Sequence, residues 1–145
     1  MMTELRTIFY VDDDPDDLDF FQEAVDATGQ HVTLFQLGDQ MIHALKNPPP
    51  DPSLIFVDLN MPGKTGLDII AEIKSSNALC NLPIIILSTA SDSKTIDDCK
   101  AAGANFYIKK ANSVAELRKS IEYVLSFDWI NSFPPSSLYV YNPQK

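Results

Sequence analysis

Residues 7–15 read TIFYVDDDP, and this stretch contains a complete junction between a strand and a helix. Its first five residues are all β-branched or aromatic, which is typical of a buried strand. Asp14 followed by Pro15 predicts a helix start, because aspartate caps helix N-termini and proline is tolerated in the first helical turn. The apolar residues that come next share one helical face: Leu18, Phe21 and Val25. The stretch therefore predicts a β-α unit with an acidic junction.

The β-α pattern recurs four more times along the chain. Further strands are predicted at residues 32–37, 53–57, 82–87 and 105–109, and a helical pattern follows each of them. This alternation implies a parallel sheet with helices on both faces, and right-handed crossovers leave few arrangements of the strands. The sequence thus predicts an α/β fold with a doubly wound five-stranded sheet, whose functional crevice lies at the carboxyl ends of the strands.

The chain is short and acidic. Its 145 residues suit one domain, and 11 basic against 20 acidic residues give a formal net charge of −9. A negative surface does not neutralise phosphates, so we expect no nucleic-acid partner and no binding to anionic membranes. The apolar runs are too short to cross a bilayer, the N-terminus lacks a signal-peptide pattern, and Cys80 and Cys99 form no CxxC pair. These features predict a cytoplasmic protein with free thiols.

Polar residues follow the predicted strands at the edge where the crevice lies. The first strand ends in three aspartates, the third in Asp58, the fourth in Ser88 and the fifth in Lys109-Lys110. Clustered carboxylates repel one another and need a cation, and all-oxygen ligands on an exposed rim favour Mg²⁺ that keeps several waters. A carboxylate beside Mg²⁺ and a lysine can accept a phosphoryl group, because both cations neutralise the oxygens of the transferred group.

Four segments, taken together, resemble the response-regulator receiver domain of two-component signalling. They read VDDDP at residues 11–15, VDLNMPG at 57–63, LSTA at 87–90 and AGANFYIKK at 102–110. The resemblance implies a receiver-type, flavodoxin-like fold, with a receiver domain over residues 1–126 and an aromatic, proline-containing tail over residues 127–145.

The resemblance also implies roles for single residues. Asp58 is similar to the phosphoryl acceptor of the family. Lys110 is similar to its conserved lysine, and is preferred to Lys109 because it lies three residues after Tyr107. Ser88 resembles the switch hydroxyl, and Tyr107 resembles the aromatic residue that changes rotamer with it. The implied Mg²⁺ ligands are the carboxylates of Asp12, Asp13 and Asp58 and the backbone carbonyl of Asn60.

One position departs from the family pattern. Proline usually follows the conserved lysine in the family, whereas Ala111 follows Lys110 in this chain. A cis bond without proline costs about 2.5–4 kcal/mol, so we predict a trans Lys110–Ala111 bond and a shifted loop.

The remaining acids of the first junction have a simpler interpretation. Asp14, Asp16, Asp17 and Asp19 lie at a helix start, where carboxylates cap free N–H groups and interact favourably with the positive end of the helix dipole. We therefore interpret these four residues as helix-start and surface charge.

Two other functions compete with the phosphoacceptor interpretation. The Asp12-Asp13-Asp14 run resembles the start of a haloacid-dehalogenase-like phosphatase, with Asp12 as nucleophile and Asp14 as acid/base. That family also needs an acidic pair after its lysine, and the later acids here are not paired at a strand end. A pseudoreceiver, a binding module with an inactive pocket, is the other alternative, although every pocket residue is present.

The resemblance implies a stand-alone response regulator that is itself phosphorylated and is not a turnover enzyme. The expected donor is a sensor histidine kinase or a histidine phosphotransfer protein, and the expected target is a downstream protein. The tail around Trp129 and Pro134 is loosely similar to small receivers that work beside phytochrome-type sensor kinases. It could fold back on the domain, or dock a partner or a second copy to give a homodimer. We expect the last helix to continue through residues 128–131.

Overall fold

A computed structural model describes residues 7–46, 53–127, 129 and 139–143 of the chain. The described strands are β1 (Thr7–Val11), β2 (His31–Phe35), β3 (Ser53–Asp58), β4 (Ile84–Ser88), β5 (Phe106–Lys109) and β6 (Val140–Tyr141). They form one parallel sheet in the order β2-β1-β3-β4-β5-β6. The first five strands are those predicted from the sequence, and the short β6 is an addition to the predicted sheet.

Five helices connect or follow these strands. They are α1 (Pro15–Asp26), α2 (Gly38–Leu45), α3 (Gly66–Lys74), α4 (Ser93–Ala102) and α5 (Val114–Leu125). The predicted start of α1 is confirmed, since the Asp14 carboxylate accepts a hydrogen bond from the Asp16 N–H at 2.9 Å. Thr65 and Asp68 form a reciprocal capping box at the start of α3.

Alternate residues of the strands enter two separate cores, one on each face of the sheet. In β1, Ile8 and Tyr10 pack with the apolar residues of α1 and α5. Their neighbours Phe9 and Val11 pack on the opposite face with residues of α2 and α3. This period of two is the ordinary geometry of a strand that is buried on both faces. The doubly wound arrangement predicted from the sequence is therefore confirmed.

The strand order places a crevice above β1 and β3. The chain passes from β1 outward to β2 on one side, and then crosses back over β1 to reach β3. Helices on either side of such a reversal diverge, which opens a cleft at the carboxyl ends of the two central strands. The residues at or directly after the carboxyl ends of β1, β3, β4 and β5 lie at this edge of the sheet.

The last helix ends at Leu125, so its predicted continuation is wrong at Phe127 and Trp129, which lie outside the helix. Residues 128, 130 and 131 lie outside the described part of the chain. The Trp129 side chain turns inward, and its Nε1–H donates to the carbonyl oxygen of Val124 at 2.8 Å. The buried indole thus binds a carbonyl that a continuing helix would use for its own backbone.

The described end of the tail extends the sheet. The Tyr107 N–H donates to the Tyr139 carbonyl at 2.9 Å, and β6 pairs in parallel with β5. The ring of Tyr141 stacks on that of Tyr123 in α5, with centroids 4.5 Å apart. The described part of the tail therefore folds back on the domain and covers the outer edge of β5.

The described helices are too short to span a membrane. The longest, α1 and α5, have 12 residues each, whereas a spanning helix needs about 20 apolar residues.

Candidate functional site

The sheet edge above β1, β3, β4 and β5 gathers the predicted site residues. Asp58 and Ser88 are the last residues of β3 and β4, while Asp12 and Lys110 directly follow β1 and β5. The backbones of the latter two are still held by neighbouring strands. The Asp12 N–H donates to the backbone carbonyl of Phe35 at 3.0 Å, and the Lys110 N–H donates to the backbone carbonyl of Ser88 at 2.7 Å. Rigid strand ends therefore position these side chains.

Three carboxylates meet at this edge. One oxygen from each of Asp12, Asp13 and Asp58 lies within 4.8 Å of the others. Asp12 and Asp58 are buried, whereas Asp13 is exposed. Burial raises the pKa of Asp58 to about 6. The Lys110 charge opposes this increase, and the charges of Asp12 and Asp13 add to it.

The three carboxylates fit a hard divalent cation. All of their ligand atoms are oxygen, and the exposed side at Asp13 leaves room for the waters that Mg²⁺ retains. A bound cation would also relieve the repulsion between the buried pair. Asn60 lies exposed in the turn that follows β3, and its carbonyl as a further ligand stays a prediction.

Lys110 lies among acids from three elements. Its Nζ is 3.2 Å from Asp12 Oδ2, 3.2 Å from Asp58 Oδ1 and 2.9 Å from Asp17 Oδ2. Burial opposes the charged form of Lys110, but the hydrogen bond to Asp17 and the charges of Asp58 and Asp12 raise its pKa above the usual value. The lysine is therefore a fixed cation beside Asp58. The trans form of the Lys110–Ala111 bond stays a prediction.

Ser88 and Tyr107 converge on the backbone of one loop residue. The Ser88 Oγ accepts from the Ala90 N–H at 3.1 Å, and the Tyr107 hydroxyl donates to the Ala90 carbonyl at 2.7 Å. Both side chains are buried, and burial raises the pKa of Tyr107. A movement of the Ser88 hydroxyl would thus change its hydrogen bond to Ala90, whose carbonyl accepts from the Tyr107 hydroxyl.

The structure adds Tyr10 to the site, which the sequence analysis missed. The Tyr10 hydroxyl donates to Asp12 Oδ2 at 2.5 Å, and the ring stacks on Phe21 with centroids 4.1 Å apart. Burial, together with the Asp12 charge, raises the pKa of Tyr10 well above its usual value. A signal was available in the sequence, because residues two apart on an extended chain point to the same side.

Asp17 lies in the first turn of α1, as predicted for a helix-start charge, but it is more than surface charge. Its carboxylate is half-buried and pairs with Lys110 at 2.9 Å. The two residues are 93 positions apart in the chain. Packing of α1 against α5 brings the α1 start next to the loop after β5. Local sequence carried no sign of this pair.

Gly66 limits the space behind Asp58. A Cβ at position 66 would lie 2.7 Å from the Asp58 carbonyl oxygen and 2.8 Å from Leu59 Cα. Both are backbone atoms, so Gly66→Ala should force β3 and α3 apart. We expect it to lower the free energy of unfolding by about 1–3 kcal/mol, as overpacked cores do, in urea denaturation followed by circular dichroism.

Gly38→Ala is the matched control for this prediction. Gly38 also begins a helix, but its added Cβ would meet Ile69 Cδ1, the end of a side chain that can rotate, at 2.9 Å. We expect a smaller loss for this variant. Equal losses for the two variants would contradict the role assigned to Gly66.

Comparison with known proteins identifies the family. The family model described as "Response regulator receiver domain" matches residues 8–122. Response regulator Rcp1 of Synechocystis sp. is 31% identical over 83 residues, which are 57% of this chain and 56% of that protein. Two-component response regulator ARR16 of Arabidopsis thaliana is 35% identical over 85 residues, covering 57% and 52% of the two chains. The chain thus spans little more than half the length of these curated relatives.

Solved structures show the same fold over a larger share of the chain. The phosphorylated cyanobacterial phytochrome response regulator RcpA superposes with a TM-score of 0.74 at 28% identity, covering 89% of this chain and 98% of that one. The Mn²⁺-bound form of Rcp1 superposes with a TM-score of 0.71 at 25% identity, covering 89% and 99%. With the match over residues 8–122, these findings show that the chain belongs to the response regulator receiver domain family.

Proposed function

We propose that this chain is a response regulator whose receiver domain accepts a phosphoryl group on Asp58. The observation that carries the proposal is the setting of the Asp58 carboxylate. It ends a buried strand, lies 3.2 Å from the Lys110 ammonium, and shares a metal-competent cluster with Asp12 and Asp13. A nucleophile, a fixed cation and a cation site therefore meet at one point, as phosphoryl transfer requires.

The transfer balances as a simple displacement. One Asp58 oxygen forms a bond to phosphorus, and the bond between phosphorus and the donor nitrogen of a phosphohistidine breaks. The electron pair stays on the imidazole nitrogen, which takes a proton. The product on this chain is an aspartyl phosphate. The Lys110 N–H groups lie where they can bond the transferred oxygens.

We propose Mg²⁺ as the cofactor, held by Asp12, Asp13, Asp58 and the Asn60 carbonyl. When bound, it neutralises oxygens of the phosphoryl group in the transition state. The chain supplies the rest of the site. Tyr10 and the Asp14 N–H orient the Asp12 carboxylate through its two oxygens.

The signal would leave the site through Ser88 and Tyr107. A phosphoryl group on Asp58 adds up to about −2 in charge and new acceptor oxygens. The Ser88 hydroxyl, at the end of the adjacent strand, can turn to donate to one of these oxygens. The Ala90 peptide groups and the Tyr107 ring then adjust, which biases the surface of α4, β5 and α5.

The partners follow from this chemistry. The donor is the phosphohistidine of a sensor histidine kinase or of a histidine phosphotransfer protein in the cytoplasm, and the target is a downstream protein. The protein is modified rather than acting as a turnover enzyme.

The proposed domain division is a receiver over residues 1–126 and a tail over residues 127–145. The tail is one candidate contact for a homodimer. The −9 charge is consistent with a function that involves neither nucleic acid nor membrane.

The test uses acetyl phosphate, a small phosphoryl donor, together with Mg²⁺. We expect intact mass spectrometry to show one added phosphoryl group on the wild-type protein. The adduct should be absent when EDTA replaces Mg²⁺. A wild-type chain that gains no phosphoryl mass under these conditions would rule out the proposed function and favour the pseudoreceiver alternative.

A further inference from the structure

Asp17 has a place in the site that differs from that of the other acids around Lys110. Two of the three carboxylates that contact the Lys110 ammonium, Asp12 and Asp58, also belong to the candidate metal cluster. Asp17 is outside that cluster, yet its contact of 2.9 Å with Lys110 is the shortest of the three. We propose that Asp17 is a positioning residue, which holds the Lys110 ammonium in place while Asp58 is phosphorylated. The inference rests on the proposed function.

The Lys110 ammonium can give one N–H group to each of its carboxylate partners. An ammonium group has three N–H donors, and three carboxylate oxygens surround this one. During phosphorylation two of these oxygens change. Asp12 would serve as a ligand of the cation, and the Asp58 carboxylate would become part of a mixed anhydride, its charge replaced by that of the phosphoryl oxygens. Only Asp17 keeps a full negative charge directed at the lysine alone.

Asp12 is shared among three donors of this chain. Its Oδ2 accepts from the Tyr10 hydroxyl at 2.5 Å and from Lys110 at 3.2 Å, while its Oδ1 accepts from the Asp14 N–H at 3.0 Å. The short bond from Tyr10 is a strong competitor for the same oxygen that Lys110 contacts. Asp12 alone is therefore a weak anchor for the lysine.

Asp17 is itself held firmly. It lies in the first turn of α1. That helix packs on the core through Phe21, which is fully buried, and Leu18, which is nearly so. Lysine has a flexible four-carbon stem with a large rotamer entropy. A fixed partner restricts that freedom before the donor arrives, so the N–H groups need not be reordered in the transition state.

The experiment compares Asp17→Ala with Asp19→Ala. Both changes remove one negative charge from α1, but Asp19 is exposed and two residues further along, roughly 200° around the helix. The rate of phosphorylation by acetyl phosphate is measured at saturating Mg²⁺. We expect Asp17→Ala to slow it about tenfold, in line with the loss of groups that orient a site. Asp19→Ala should react at the wild-type rate, and Asp17→Glu should recover most of the loss.

Two further readouts separate positioning from a general effect. The Mg²⁺ concentration for half-maximal rate should stay within about twofold of the wild-type value, because Asp17 lies outside the metal cluster. In ¹⁵N-lysine NMR without donor, the Lys110 ammonium signal should weaken and shift in Asp17→Ala but not in Asp19→Ala. Lys110→Arg identifies that signal by its loss.

Each result has a definite meaning. Slower phosphorylation, with an altered Lys110 signal and unchanged Mg²⁺ dependence, supports the inference. If the wild-type protein is phosphorylated and Asp17→Ala reacts at the same rate as Asp19→Ala, the inference is overturned while the proposed function stands. A rate loss that disappears at higher Mg²⁺ would also overturn it, because Asp17 would then act through the metal. A wild-type protein that takes no phosphoryl group would instead remove the proposed function on which it rests.

Discussion

Asp58→Ala should abolish the phosphoryl adduct that acetyl phosphate and Mg²⁺ form on the wild-type protein. The variant removes the oxygen that would attack phosphorus, and the neighbouring oxygens at this edge are placed differently. Asp13 is exposed on the rim. Ser88 is a buried hydroxyl at this edge, and its Oγ accepts from the Ala90 N–H. We expect a loss of at least about 100-fold, the scale on which losing a covalent nucleophile is felt.

The same experiment separates a receiver from a haloacid-dehalogenase-like phosphatase. In the phosphatase alternative Asp12 would be the nucleophile, and Asp58→Ala would leave the labelling intact. The structure disfavours Asp12 for this role, because it is 1% exposed and both of its oxygens already accept hydrogen bonds. Asp58 lies at the end of the neighbouring strand. Among the described residues its carboxylate forms one ion pair, from Oδ1 to Lys110.

Two control variants sharpen this result. Asp97→Ala removes an exposed acid from α4 and should label like the wild type. Asp12→Ala removes a candidate metal ligand, so its labelling should recover in part at higher Mg²⁺. Undiminished labelling of Asp58→Ala would contradict the assignment of the acceptor.

Lys110→Ala should lower the free energy of unfolding by about 3–5 kcal/mol at pH 8 in EDTA, the loss found when one partner of a buried ion pair is removed. The Lys110 ammonium is the cation that three carboxylates share, and two of these are almost completely buried. Without it, Asp12 and Asp58 face each other with no compensating charge. Lys109→Ala is the matched control. It removes the same charge from the last residue of β5, one position before Lys110. We expect it to lower the free energy of unfolding by less than about 1 kcal/mol.

The pH dependence of this loss has a definite sign. Asp58 has a raised pKa of about 6, and the Lys110 charge lowers it, so removal of the lysine should raise it further. An acid with a raised pKa in the folded protein gains stability as the pH falls through that value. The loss caused by Lys110→Ala should therefore be smaller at pH 5 than at pH 8. Urea titrations at the two pH values measure it.

Mg²⁺ gives a second check on the same variant. A cation at the cluster would replace part of the missing positive charge, so Mg²⁺ should stabilise Lys110→Ala more than it stabilises the wild type. Equal losses for the Lys109 and Lys110 variants, or a loss that grows at low pH, would contradict the charge arrangement described for the site.

Much of the fold could be predicted from local sequence, because strand and helix periods differ. The IFYV and IIIL segments are continuously hydrophobic, as is typical of strands covered on both faces. The positions of Asp58 and Ser88 followed from the same pattern, since the carboxyl ends of parallel strands share one edge. The choice of Lys110 over Lys109 came from the spacing that the family resemblance implies, and the structure brings Lys110 to the carboxylates.

The conformation of the tail could not be predicted from local sequence. A helix that continues past Leu125 is reasonable from sequence, but the Trp129 indole has a buried position against Val124 and Phe106. Pairing of β6 with β5 depends on the free edge of the sheet and on the stacking of Tyr141 on Tyr123. Phe106 and β5 are distant along the chain from the tail, so no window of neighbouring residues contains these contacts.

The sequence by itself determined the order of strands and helices, the edge at which polar residues gather, and the family. Those features depend on residues close together in the chain or on motifs of fixed spacing. The tertiary structure decided which acids face the lysine, because packing of α1 on α5 joins Asp17 to Lys110 across 93 positions. It also decided that Gly66 must lack a side chain, since the backbone of Asp58 and Leu59 fills the space beside it. Distances between elements are set by the packing of side chains across the whole core, and local periodicity does not encode them.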